Sequence, residues 1–151
     1  MFISESTIDG VVEALESVDF EQEVERFGKR QPALMSYIFS EDFELLTQAE
    51  REYMLYLMLV VWQSVEKTKG SLNMINKKDL EAAEERNWEL LDTIEDNRFR
   101  ERMTVFFDDS EQEDLLAFVE DALVEDDDST VTKEGREPIF VALKSVIDIL
   151  T

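Results

Sequence analysis

Apolar residues recur at helical spacing along most of the chain, and they are densest in residues 48–69. A run of ten apolar residues there occupies positions 53–62. Thr47 followed by Glu50 has the form of a capping box ahead of this run, and Gly70 follows it. Because a helix that is apolar on all sides is buried on all sides, the pattern predicts a central buried helix over 48–69.

The last strongly periodic segment lies at residues 132–150. Ile139, Leu143 and Val146 fall on one face of a helix there, and the other faces are more polar. This one-sided pattern is typical of a helix that packs against a core rather than through it. We therefore expect this helix on the flank of the central one.

Two pairs of segments resemble each other along the chain. Residues 31–39 and 112–120 share Gln, Leu and an aromatic residue at an offset of 81. Residues 47–52 and 132–137 share Thr and Arg-Glu at an offset of 85. The alternative is chance similarity between two amphipathic helix pairs. A genuine repeat would constrain the architecture even where no chemical motif does.

Together these patterns predict a single all-α domain over residues 1–151. We expect a compact bundle of about six to seven helices around the central helix, with an internal duplication whose copies are 31–69 and 112–151. The chain has only 4 Gly and 2 Pro, which argues against a fold built from many tight turns. Two copies are too few for an open solenoid and favour a compact bundle with a pseudo-two-fold axis.

The chain contains no Cys and no His. It therefore has no thiol nucleophile, no disulfide and no thiolate metal site. It also lacks the commonest general base and the usual ligand of transition metals. These absences disfavour an enzyme without excluding one, and we predict no cofactor.

The formal net charge is −22, from 37 acidic and 15 basic residues. Contact with nucleic-acid phosphates or with an anionic membrane needs a basic surface, so neither is expected. The plain interpretation is a solvated acidic surface. More specific interpretations of the charge are that the protein binds a basic partner protein, or that it mimics the charge of a nucleic acid. With no signal peptide visible at the start of the sequence, we expect a cytoplasmic protein.

Carboxylates are the only plentiful reactive groups. Glu81 and Glu84 stand three residues apart, and Glu111 and Asp114 repeat that spacing further along the chain. Paired acids on two helices can hold Mg²⁺ or Mn²⁺, which prefer oxygen ligands, so a Mg²⁺-dependent all-α hydrolase is one hypothesis. The alternative is ordinary surface acids in an acidic chain, with Glu111 and Asp114 in the first turn of a helix.

Trp88 stands beside the polar Asn87 and Glu89, and Leu80 and Glu84 precede it on its own helix face. A partly exposed Trp can anchor a partner, whereas the ordinary interpretation of Trp is core packing. The function that the sequence favours is a non-enzymatic helical protein-interaction module with a strongly acidic surface. Its partner is expected to be a protein, and a homodimer stays open. The alternatives are the hydrolase and a nucleic-acid-mimicking inhibitor.

Overall fold

The computed structural model describes residues 1–124 and 131–151, and in these ranges the chain is all-helical, without a β-strand. The helices are α1 (Glu5–Glu16), α2 (Phe20–Arg30), α3 (Pro32–Ile38), α4 (Gln48–Lys69), α5 (Lys77–Asp92), α6 (Phe99–Asp109), α7 (Glu113–Val124) and α8 (Lys133–Leu150), with a 3₁₀ turn at Glu41–Phe43. The all-α prediction is confirmed. The eight α-helices of the described ranges exceed the six to seven predicted.

The extra helices come from N-caps that divide short amphipathic segments. The Asp19 side chain accepts a hydrogen bond from the Glu21 N–H, and this starts α2 only three residues after α1 ends. Pro32 occupies the first turn of α3, where its missing N–H costs no helical hydrogen bond. Three short helices therefore precede the long α4.

Helices α4 and α8 lie side by side in the core and run parallel. The predicted central helix is confirmed from Gln48 to Lys69. At the amino ends, a carboxylate oxygen of Glu50 in α4 accepts hydrogen bonds of 3.0 Å from the N–H and the hydroxyl of Thr132, which caps α8. At the carboxyl ends, the Lys69 ammonium donates to the Leu150 carbonyl at 3.1 Å. Both pairs of like ends are therefore close together.

The expected position of α8 on the flank is wrong. Eleven residues of α8 are buried, as many as in α4. Its second face is polar in sequence but is covered by α5, α6 and α7. Burial of this face depends on charged side chains that neutralise one another, which the apolar pattern alone does not reveal.

The remaining helices surround the α4–α8 pair in a regular order. Helix α1 packs on α4 and on α7, and α5 packs on α8 and on α3. Likewise α2 contacts α3, and α6 contacts α7. The first helix of each half of the chain therefore lies against the third helix of the other half. This arrangement creates two clefts, one between α1 and α7 and one between α3 and α5.

Candidate functional site

Two buried glutamines fix the walls of these clefts. Gln31, at the start of α3, donates from its amide to the Asn73 carbonyl at 2.9 Å and accepts from the Ile75 N–H at 2.8 Å. Residues 73–75 lead directly into α5. The Gln31 side chain thus bonds a carbonyl and an N–H group of the segment ahead of α5. These two hydrogen bonds set the position of α5 against α3.

Gln112 makes the same pair of contacts at the start of α7. Its side-chain oxygen accepts from the Ile3 N–H at 2.9 Å, and its amide donates to the Met1 carbonyl. Residues 1–3 lead directly into α1. Gln31 and Gln112, which are aligned in the similar segments, therefore make equivalent contacts. Each bonds the backbone just ahead of a helix from the other half of the chain, α5 for Gln31 and α1 for Gln112.

The α1/α7 groove is the cavity between these two helices, with a volume of about 430 Å³. It is lined by Glu5, Ile8 and Asp9 of α1, by Tyr53 and Tyr56 of α4, and by Asp114, Ala117, Phe118, Asp121 and Ala122 of α7. Helix α4 supplies the floor, and the two outer helices supply the walls. The lining is thus aromatic at the base and acidic at the rim.

The floor is a row of aromatic rings. The Tyr53 and Tyr56 rings are stacked, with centroids 6.1 Å apart, and Phe20 continues the row 6.3 Å from Tyr56. The Tyr53 hydroxyl donates to the Ala122 carbonyl at 3.0 Å, which fixes that ring against α7. Burial, with a smaller effect of the Glu16 carboxylate, raises the pKa of Tyr56. The base of the groove therefore contains two tyrosine rings, one of which is fixed against α7 through its hydroxyl.

The rim carries four carboxylates, and none of the described lining residues is Lys or Arg. Asp114 accepts from the Glu5 N–H at 2.9 Å, so it ties the first turn of α1 to α7. Arg100 approaches Asp121 to 3.3 Å from outside the groove, and its shorter contact is to Glu120. The carboxylates of Glu5 and Asp9 lie on exposed residues. The groove as a whole therefore carries net negative charge.

The α3/α5 groove is the second cleft, between helices α3 and α5, and it has a volume of about 590 Å³. It is lined by Ala33, Ser36, Tyr37 and Ser40, by Glu41 and Asp42 of the 3₁₀ turn, and by Lys77, Leu80 and Glu81 of α5. Tyr37 donates to the Glu84 carboxylate, and its ring packs edge-to-face on Phe43 with centroids 4.9 Å apart. Burial first, and the Glu84 carboxylate second, raise the pKa of Tyr37.

The four acids of the metal hypothesis lie in different places. Glu81 lines the α3/α5 groove and is 3.8 Å from the Lys77 ammonium, while Glu84 accepts from Tyr37. Asp114 lines the α1/α7 groove, and Glu111 is exposed ahead of α7. Over residues 1–124 and 131–151, no three acidic side chains are grouped so that they could hold a metal ion. Only one acid of each pair, Glu81 or Asp114, lines a cleft, and these two clefts are separate.

Trp88 is half-buried and packs against the hydrophobic core from α5. Its neighbour Asn87 is fully buried and faces α8. Trp88 lines neither of the two grooves. Its use as an anchor for a partner stays a prediction.

A fully buried lysine, which the sequence analysis missed, lies under α5 and α6. The Lys144 ammonium donates to Asp148 at 2.8 Å, to Asp109 at 2.9 Å and to Asn87 at 3.2 Å. The Arg86 guanidinium first, and Lys144 second, lower the pKa of Asp109. All three donors of the ammonium are engaged, so this group stabilises packing rather than offering a free amine. The sequence did contain a sign of this cluster. Lys144 lies inside the largely apolar segment 139–147, and Asp148 follows four residues later, which is the spacing of an ion pair within one helix.

Comparisons with known protein families, with characterised proteins and with solved structures found no match for this chain. In the described part of the chain, no helix is long and apolar enough to cross a membrane.

Proposed function

We propose that the protein is a non-enzymatic interaction module whose α1/α7 groove receives a basic, partly apolar segment of a partner protein. The observation that carries this proposal is the combination of an aromatic floor with a rim of four carboxylates that no lysine or arginine of the lining neutralises. The hydrolase and the nucleic-acid mimic stay predictions from the sequence.

The chemistry of the groove suits lysine and arginine side chains. Their apolar stems can lie on the Tyr53 and Tyr56 rings while their charged ends reach the rim. A cation over an exposed aromatic ring contributes about 0.5–1 kcal/mol, and an exposed ion pair contributes about 0–1 kcal/mol. Contributions of this size reach about 6 kcal/mol at most, so we expect an affinity weaker than micromolar. The net charge of −22 would speed the encounter with a basic partner.

We also propose that the duplication extends further than the sequence similarity, so that α1–α4 and α5–α8 are two copies of a four-helix unit. The glutamine contacts support this: Asn73 and Ile75 stand 72 residues after Met1 and Ile3. The exchanged packing of α1 on α7 and of α5 on α3 is what a pseudo-two-fold axis between such units would produce.

The test uses a fluorescein-labelled amphipathic peptide of arginine and leucine, with binding followed by fluorescence anisotropy. We expect binding that weakens steeply with salt, because the rim ion pairs are exposed. Replacing two rim acids, Asp9→Asn with Asp121→Asn, should weaken binding by roughly fivefold.

The matched control is Glu89→Gln with Asp108→Asn, which removes the same charge from exposed residues outside both grooves. We expect little change in this variant. Equal weakening in the two variants would show attraction to overall charge and would contradict a site in the α1/α7 groove.

A further inference from the structure

We propose that the α3/α5 groove is a second site for the same class of basic segment, so that one molecule can hold two such segments at once. This inference rests on the proposed function of the α1/α7 groove and extends it. Its basis is the correspondence between the linings of the two grooves.

The walls formed by α1 and α5 correspond residue by residue, whereas the tyrosine floor of the α1/α7 groove has no counterpart among the described lining residues of the α3/α5 groove. Leu80 and Glu81 of α5 stand 72 residues after Ile8 and Asp9 of α1, which is the spacing of the glutamine contacts. Ile8 and Leu80 are buried to the same degree, each 1% exposed.

On the opposite walls, Ser36 and Tyr37 stand 81 residues before Ala117 and Phe118, at the offset of the first repeated segment. An aromatic ring from the third helix of one half therefore faces an aliphatic side chain from the first helix of the other half in both grooves.

The rims differ in charge but keep the same sign. Lys77 stands where the α1/α7 groove has Glu5, and Ala33 and Ser40 stand where it has Asp114 and Asp121. These changes remove three acids. The 3₁₀ turn restores two of them with Glu41 and Asp42, which leaves three carboxylates against one ammonium.

The single ammonium in the α3/α5 groove is itself directed to an acid, since Lys77 is 3.8 Å from Glu81. The groove therefore remains complementary to a basic segment, with fewer ion pairs available. We expect weaker binding there, and a smaller dependence on salt.

The two grooves share no lining residue. Each is formed by its own pair of outer helices, α1 with α7 and α3 with α5. Occupation of one groove does not remove a contact from the other, so two segments can be bound by the same molecule. A protein built this way would connect two basic segments, either of one partner or of two.

The test mixes two batches of the arginine–leucine peptide, one labelled with a fluorescence donor and one with an acceptor. In a protein that analytical ultracentrifugation shows to be monomeric, energy transfer requires that both peptides bind one protein molecule. We expect transfer with the unaltered protein, and a stoichiometry of two peptides in isothermal titration calorimetry. Substituting Asp42→Asn with Glu81→Gln should abolish transfer and leave the tighter site.

The variants separate failure of this inference from failure of the proposed function. The α1/α7 variant, Asp9→Asn with Asp121→Asn, should also reduce energy transfer, because its site is weakened roughly fivefold, but should retain the weaker site. A single bound peptide that the α1/α7 variant weakens and the α3/α5 variant leaves unchanged would overturn the second site alone. Equal affinity in both variants and in the Glu89→Gln, Asp108→Asn control would overturn both proposals. Circular dichroism of each variant checks that the helices are intact.

Discussion

The parallel helices α4 and α8 are both buried in the core but are held there by different side chains. At the offset of 85, Leu59 of α4 corresponds to Lys144 of α8, and both are fully buried. Glu50 of α4 corresponds to Gly135 of α8, and the Glu50 carboxylate bonds to the capping residues of both helices. Two polar contacts thus distinguish the helices that the proposed duplication would make equivalent.

Removing the buried lysine should have the largest effect on stability. In Lys144→Leu, the carboxylates of Asp109 and Asp148 lose a buried cation. Removing one partner of a buried ion pair lowers the free energy of unfolding by about 3–5 kcal/mol. We expect a loss of this size in the free energy of unfolding, measured by urea denaturation. That is a large part of the roughly 5–15 kcal/mol by which domains of this size are stable.

The double variant Lys144→Leu with Asp148→Gln gives α8 the residues of α4, where Leu59 is followed by Gln63. Because it removes one of the two acids of the cluster together with the lysine, it should recover part of the lost stability. A double variant with a lower free energy of unfolding than Lys144→Leu would contradict this. It would mean that the apolar and amide side chains of α4 cannot replace the charged cluster of α8.

The glycine of α8 should have the next largest effect. A Cβ added at Gly135 would lie 2.1 Å from a carboxylate oxygen of Glu50, so Gly135→Ala must displace that carboxylate from its bonds with Thr132. We expect a loss of about 2 kcal/mol in the free energy of unfolding, since buried acceptor contacts of a charged group are disrupted.

Gly10 in α1 is the matched control, because a Cβ there meets no atom within 4 Å. Gly10→Ala should stabilise the protein by about 0.5–1 kcal/mol through helix propensity. Thermal unfolding should therefore shift in opposite directions in the two Gly→Ala variants. A shift in the same direction would mean that Gly135 is not required by the Glu50 carboxylate.

The glutamine contacts test whether the two halves contribute equally. Gln31 holds a segment in the middle of the chain, whereas Gln112 holds residues 1–3 at its start. Either Gln→Leu substitution leaves two backbone groups without partners and should cost about 1–3 kcal/mol. We expect hydrogen exchange of α1 to increase in Gln112→Leu, and that of α5 in Gln31→Leu. The reverse pattern would contradict the exchanged packing of the halves.

The features that the sequence predicted are those determined locally. The two ends of α4 follow from Thr47, Glu50 and Gly70, each of which lies within one turn of the helix end that it determines. The similarity of Gln31 and Gln112 was visible, but their contacts were not, because the bonded backbone groups are 42 or more residues away in the chain. The Lys144 cluster and the α1/α7 groove likewise combine side chains from helices that only the fold brings together.

The last prediction concerns how the stability of the protein responds to acid. Burial raises the pKa of Glu50, but the hydrogen bonds from Thr47 and Thr132 outweigh it and hold the pKa below its ordinary value of 4.5. A carboxyl whose pKa is lowered in the folded state stabilises the fold above its ordinary pKa, and this stabilisation is lost as the pH falls through the folded value. Glu50→Gln lacks an oxygen to accept from Thr132 and should be about 1–2 kcal/mol less stable at neutral pH.

The difference between the two proteins should narrow as the pH falls below 4.5, because protonation removes the same acceptor from the unaltered protein. Acid also relieves the repulsion from the net charge of −22, but it does so almost equally in both proteins. The comparison of urea midpoints at each pH therefore isolates Glu50. A difference that stays constant from neutral pH to pH about 3 would show that the stabilisation does not depend on its charge, and that α4 and α8 are joined at their amino ends by packing alone.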